Sequence, residues 1–218
     1  MLANASLPEA NLVSKIIYFW QQSWLLIVSS FCFGLLIAVT NAGLAPKIEQ
    51  NKVDKLNSLT RTLLPAAKHF QPVDAQIEVA LEGGKKEKAV IYKAVSETDQ
   101  CVGWSFNAVG TGFADKIELV VAVDAGFQTI AGFSVLSSNE TPGFGDQMKT
   151  PYFRNQFAGA PAGELKLSKT GDATKIDAEI VAITGATVTS QAVVDVLNSF
   201  VTQIKSQMQQ KGLLGNGK

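Results

Sequence analysis

Between Ile16 and Pro46 the sequence contains no Asp, Glu, Lys or Arg. A charge-free stretch of that length does not suit the solvated surface of a small fold and must be explained first. Histidine occurs once, at His69, and cysteine twice, at Cys32 and Cys101. With no Cys-x-x-Cys and no second histidine, the chain cannot supply an iron–sulfur cluster or a His-rich metal site. A Ser-His-Asp arrangement would have to use His69, which reads as an exposed residue in a polar linker between Pro65 and Pro72. The cysteines fall on opposite sides of the organisation described below and cannot pair. Any excess of one charge is also missing. Lys plus Arg and Asp plus Glu each total 19, with an isoelectric point near 6.6, so nothing favours nucleic acid. Walker and Rossmann phosphate loops and paired catalytic carboxylates are absent, which argues against hydrolysis by side chains alone.

The uncharged stretch itself is apolar. Its centre, Trp24 to Thr40, continues to Ala45 and meets the roughly 20 residues that a helix needs to cross a bilayer. Trp20 and Trp24 stand at one end, where amphipathic rings favour the membrane interface. We read one span over residues 23–45, preceded by an N-terminal segment, 1–22. A cleaved signal peptide is the rival; the length of the run, the residues before it and Pro46 just after Gly43-Leu44-Ala45 disfavour it. Flanking lysines, Lys15 against Lys47, Lys52 and Lys55, leave the orientation open.

Beyond the span, Val53, Leu56, Leu59 and Leu63 recur at helical spacing and Pro65 stops the pattern, giving a connecting helix and linker over residues 46–72. Short β-type runs follow at Ala75–Leu81, Ala89–Val95, Cys101–Ala108, Lys116–Val123 and Thr129–Leu136, separated by Glu82-Gly83-Gly84, Gly110-Thr111-Gly112 and Asp124-Ala125-Gly126. Leu119 to Val123 is apolar throughout, as in a strand covered on both faces. Pro151–Phe157 reads as a short helix, Leu165–Leu167 and Ile176–Ile180 as further strands, and Ser190 to about Gln210 as a helix with one apolar stripe. The fold class is α+β: one transmembrane helix, then a soluble antiparallel sheet with packed helices over residues 73–212, and a frayed tail, 213–218.

Chemistry is left to a pair of small-residue loops. Glu140-Thr141-Pro142-Gly143-Phe144-Gly145 combines a fixed dihedral with glycines that permit close backbone approach, and it can lay N–H groups and the Phe144 ring against a flat ligand. Thr184-Gly185-Ala186-Thr187-Val188-Thr189 stands just before the terminal helix, where Thr189 or Ser190 can cap and the partial positive charge suits phosphate. Each loop alone is also an ordinary turn.

Together they resemble the FMN-binding domain of the G subunit of Rnf-type electron-transport complexes, and are similar to the C subunit of the sodium-translocating NADH:quinone reductase. The resemblance implies FMN bound covalently through a phosphoester to Thr187, with Thr184, Gly185, Ala186, Val188, Thr189, Glu140, Thr141, Pro142, Gly143, Phe144 and Gly145 around the cofactor. It implies no separate catalytic residue and no metal. It further implies electron relay in a translocase coupling ferredoxin:NAD electron flow to ion movement, other subunits of that complex as partners, and a flavin transferase for maturation. Its last implication is a single-pass position in the bacterial inner membrane with the soluble domain outside the cytoplasm. The residues themselves leave open a membrane-anchored sensor domain with non-covalent FMN and a cofactor-free assembly subunit.

Overall fold

The computed structural model describes residues 9–81 and 84–214; Glu82 and Gly83 of the first expected turn, residues 1–8 of the N-terminal segment and 215–218 of the tail lie outside them. The described chain forms one unit ending at Asn51 and another beginning at Lys52.

The first unit is helical. α1 runs from Glu9 to Leu63 without a break, so the span and the connecting helix that we separated at Ala45 are one element. Pro46 lies inside it. Proline removes one backbone donor, but an apolar helix tolerates this where neighbouring groups take up the freed carbonyl. The apolar side chains from Val13 to Ile48 stand exposed, and the helix is long and apolar enough to cross a bilayer. Cys32 is free and exposed there.

The second unit is built on a five-stranded antiparallel sheet in the order β1-β2-β3-β4-β5: β1 His69–Ala80, β2 Lys86–Val95, β3 Cys101–Thr111, β4 Lys116–Asp124 and β5 Ile130–Ser138. β1 begins earlier than the sequence indicated. His69 pairs with Val95 and Pro72 with Tyr92, so the supposed linker is an edge strand, where proline's missing donor does no harm. The chain then takes a 3-10 turn, Gly145–Lys149, a short helix α2, Pro151–Arg154, and a second 3-10 turn, Asn155–Phe157, in place of the single short helix expected. β6 Lys166–Ser168 and β7 Glu179–Val181 pair in parallel, and the long helix α3 runs from Thr187 to Gln210.

Both faces of the sheet are covered. Because alternate residues face opposite ways, Ile117, Leu119, Val121 and Val123 join Val193, Leu197, Phe200, Val201 and Ile204 of α3 in the main core. Ala122 on the reverse face joins Ala94 and Leu64, just beyond the C-terminal end of α1. This is why Leu119 to Val123 is apolar at every position: each is 0% exposed. Close approach on the reverse face needs small residues. A Cβ on Gly103 would stand 2.5 Å from the Val123 carbonyl oxygen and 3.1 Å from a Leu64 methyl. On the core side, Phe133 meets Phe153 and Phe157 edge-on, ring centres 6.4 and 5.0 Å apart, and so docks the α2 segment.

Candidate functional site

The loop after β5 is shaped by its sequence. Phe144 N–H donates to the Thr141 carbonyl at 3.2 Å, with Pro142 and Gly143 between them and Gly143 at φ +79°. Proline then a positive-φ glycine is the requirement of a type II turn. The Asp146 carboxylate accepts from Gly143 N–H at 2.7 Å and Gln147 donates to the Gly143 carbonyl at 2.6 Å, which closes the turn onto the following 3-10 segment.

The loop before α3 repeats this device. Ala186 N–H donates to the Ile183 carbonyl at 3.0 Å across Thr184 and Gly185, with Gly185 at φ +80°. Ser190 fastens the turn: its hydroxyl accepts from Ile183 N–H at 3.0 Å and donates to the Ala186 carbonyl at 2.9 Å. The expected cap by Thr189 or Ser190 does not form. α3 begins earlier, at Thr187, and its N-cap is Ala186 with no side-chain cap. Ser190 N–H reaches the Ala186 carbonyl at 3.0 Å, while those of Thr187, Val188 and Thr189 have no recorded partner among the described residues. An open helix start of this kind receives anions.

The loops touch. A Cβ on Gly185 would stand 3.2 Å from a Phe144 ring carbon, so the ring lies over the Gly185 backbone. Behind them, Glu140 is 6% exposed and Thr189 1%. The Thr189 hydroxyl donates to Glu140 Oε2 at 2.6 Å, and Ala114 N–H donates to Oε1 at 3.0 Å. A Cβ on Gly112 or Gly145 would overlap the Glu140 carboxylate. Asn139 also donates to the Asp115 carboxylate at 2.7 Å. That bond, then the Lys116 N–H, hold the Asp115 carboxyl below the usual carboxylate range. The turn between β3 and β4, residues 112–115, is therefore joined to the loop after β5 through Asn139 and Glu140. Sequence reading took Gly110-Thr111-Gly112 for a plain turn; the signal was a Gly-rich hairpin with the exposed Phe113 at its tip.

The candidate residues separate by exposure. Thr141, Pro142, Gly143, Phe144, Thr184, Gly185 and Val188 are exposed, and Thr187 is half-buried. Glu140, Gly145, Ala186 and Thr189 are buried and support the surface from behind. Of the hydroxyls near the helix start, those of Thr189 and Ser190 are committed to buried hydrogen bonds. Among the described residues no metal-binding cluster forms.

Residues 112–202 match the model of the FMN-binding domain family. The G subunit of the ion-translocating oxidoreductase complex of Methanosarcina acetivorans is 31% identical over 182 residues, covering 84% of this chain and 92% of that protein. The chain belongs to the G-subunit family of ion-translocating oxidoreductase complexes. Another relative, the G subunit of the proton-translocating ferredoxin:NAD(+) oxidoreductase complex of Clostridium ljungdahlii, is 32% identical over 179 residues, covering 82% of this chain and 88% of that protein. Among solved structures, NqrC of Shewanella oneidensis superposes with a TM-score of 0.53 at 21% identity, over 67% of this chain and 73% of that one, and shows that this G-subunit family member shares its fold. Here the matched domain begins at Gly112, at the turn that Glu140 holds against the site.

Proposed function

We propose that this chain is the electron-relay subunit of an Rnf-type translocase coupling ferredoxin:NAD electron flow to ion movement, with FMN held by a phosphoester to Thr187. The observation that carries this reading is the uncapped start of α3: a half-buried threonine at its first position, beside backbone N–H groups of Thr187, Val188 and Thr189 that find no partner among the described residues. Those donors and the helix dipole suit a phosphate diester. The exposed Phe144 ring and Val188 offer apolar contact to an aromatic ligand. Buried hydrogen bonds occupy the Thr189 and Ser190 hydroxyls, which supports Thr187, at the first position of the helix, as the acceptor.

When bound, FMN supplies one- and two-electron transfer by its own chemistry. The chain's part is to hold the phosphate at the helix start, to orient the ring with Thr141–Gly145, and to support both from Glu140 and Thr189. Residues 73–212 form the cofactor domain and residues 23–45 the membrane crossing, in the inner membrane with the domain on the periplasmic side. Other membrane and peripheral subunits of the complex are the partners, and a flavin transferase matures the chain.

The test is fluorescence of the denatured chain in a gel, with intact mass, after co-expression with the transferase. Wild type should fluoresce and carry an FMN increment, and Thr187→Ala should lose both. A dark, unmodified wild-type chain would sink the covalent reading. For orientation, a reporter fused after Lys218 should be active only outside the cytoplasm.

A further inference from the structure

Among the described residues, Glu140 is the ionisable residue that is buried, and it forms no salt bridge. Both its oxygens accept hydrogen bonds, from Ala114 N–H and the Thr189 hydroxyl, the pattern of an ionised carboxylate. Burying such a charge without a cation is costly. Geometry alone does not require it: a glutamine could accept from Ala114 N–H through its oxygen and donate to Thr189 through its amide. What the carboxylate adds is a negative field in a poorly screened setting, beside the first turn of α3.

We infer that Glu140 is a positioning residue whose buried negative charge lowers the reduction potential of the flavin carried at Thr187. Its carboxylate joins the turn 112–115, the loop 140–145 and the start of α3 into one arrangement, with Gly112 and Gly145 shaped around its oxygens. An electron added to the flavin then enters a site that already holds a negative charge, so uptake is disfavoured. The inference rests on the Thr187 reading above.

The experiment is a potentiometric titration of the full-length chain in detergent, followed by flavin absorbance, with FMN loading fixed by intact mass. Loaded Glu140→Gln chains, compared with wild type at equal FMN content, should show a midpoint potential more positive than wild type. Glu140→Ala removes the charge without placing an amide against the Ala114 N–H, and its potential should also move positive. A loaded Glu140→Gln chain at the wild-type potential, or below it, overturns the inference while leaving the attachment at Thr187 intact. If Glu140→Gln does not fold or load, Glu140→Ala decides: a positive shift supports the inference, and a potential at or below wild type overturns it. A wild-type chain with no flavin on Thr187 removes the reading beneath it as well.

Discussion

The Phe144 ring lies over Gly185, close enough that a Cβ there would stand 3.2 and 3.4 Å from adjacent ring carbons. Gly185 also holds φ +80°. An alanine would therefore meet backbone strain and a ring that can move only into solvent. Gly185→Ala should cost about 1–3 kcal/mol, lower the midpoint of thermal unfolding, and reduce the fraction of chains carrying FMN by mass. A variant with wild-type stability and loading would show that neither the contact nor the turn matters.

Gly145 makes a separate prediction, because its conformation is ordinary and only space forbids a side chain. Its Cβ would overlap the Glu140 carboxylate and stand 2.8 Å from the Thr189 hydroxyl oxygen. Gly145→Ala must displace the link between the loops, at about 1–3 kcal/mol of overpacking. Hydrogen exchange should show the Ala114 amide, which donates to Glu140, losing protection. The amides of β2 should be unchanged.

The sequence reading located both loops and the strands because each is a local pattern: a proline–glycine turn, a small-residue run before an apolar stripe, apolar blocks cut by glycines. It divided α1 at Ala45, although it stopped the connecting helix at Pro65 where α1 ends at Leu63, and it started β1 too late. Pro72 was placed in a polar linker, whereas an edge strand accommodates proline. It also placed the cap on Thr189 or Ser190, since Ser and Thr favour caps in general. The Thr189 hydroxyl is instead used across the fold by Glu140, 49 positions away. Pairing at that separation leaves no local trace, and the role of the turn 112–115 was hidden for the same reason.

The ring cluster predicts where stability resides. Phe157 is fully buried, its ring centre 5.0 Å from that of Phe133 and 5.2 Å from that of Phe153. These contacts hold the segment following the Phe144 loop against β5. Phe157→Ala should cost about 3–5 kcal/mol, read as a lower urea midpoint. Phe113→Ala removes a ring that is 69% exposed and should leave the free energy of unfolding in urea within about 0.5 kcal/mol of wild type.

Glu118 predicts how the domain responds to acid. It lies on the reverse face of the sheet, its side chain 15% exposed, with the ammonium groups of Lys52 and Lys116 at 2.7 and 3.2 Å. Burial pushes its carboxyl up, but the Lys52 and Lys116 contacts outweigh burial and hold it below the usual glutamate range. A carboxyl held low in the folded state contributes its full stability above the unfolded-state value and loses it as pH falls through the folded-state value. The lysines are half exposed, so the contribution is at most about 1 kcal/mol. Urea unfolding of wild type and Glu118→Gln should differ by that amount at neutral pH. The curves should converge below the ordinary glutamate range, where the wild-type carboxyl is protonated too. Added salt should narrow the gap at neutral pH. A gap that persisted unchanged into acid would mean that Glu118 acts through packing rather than charge.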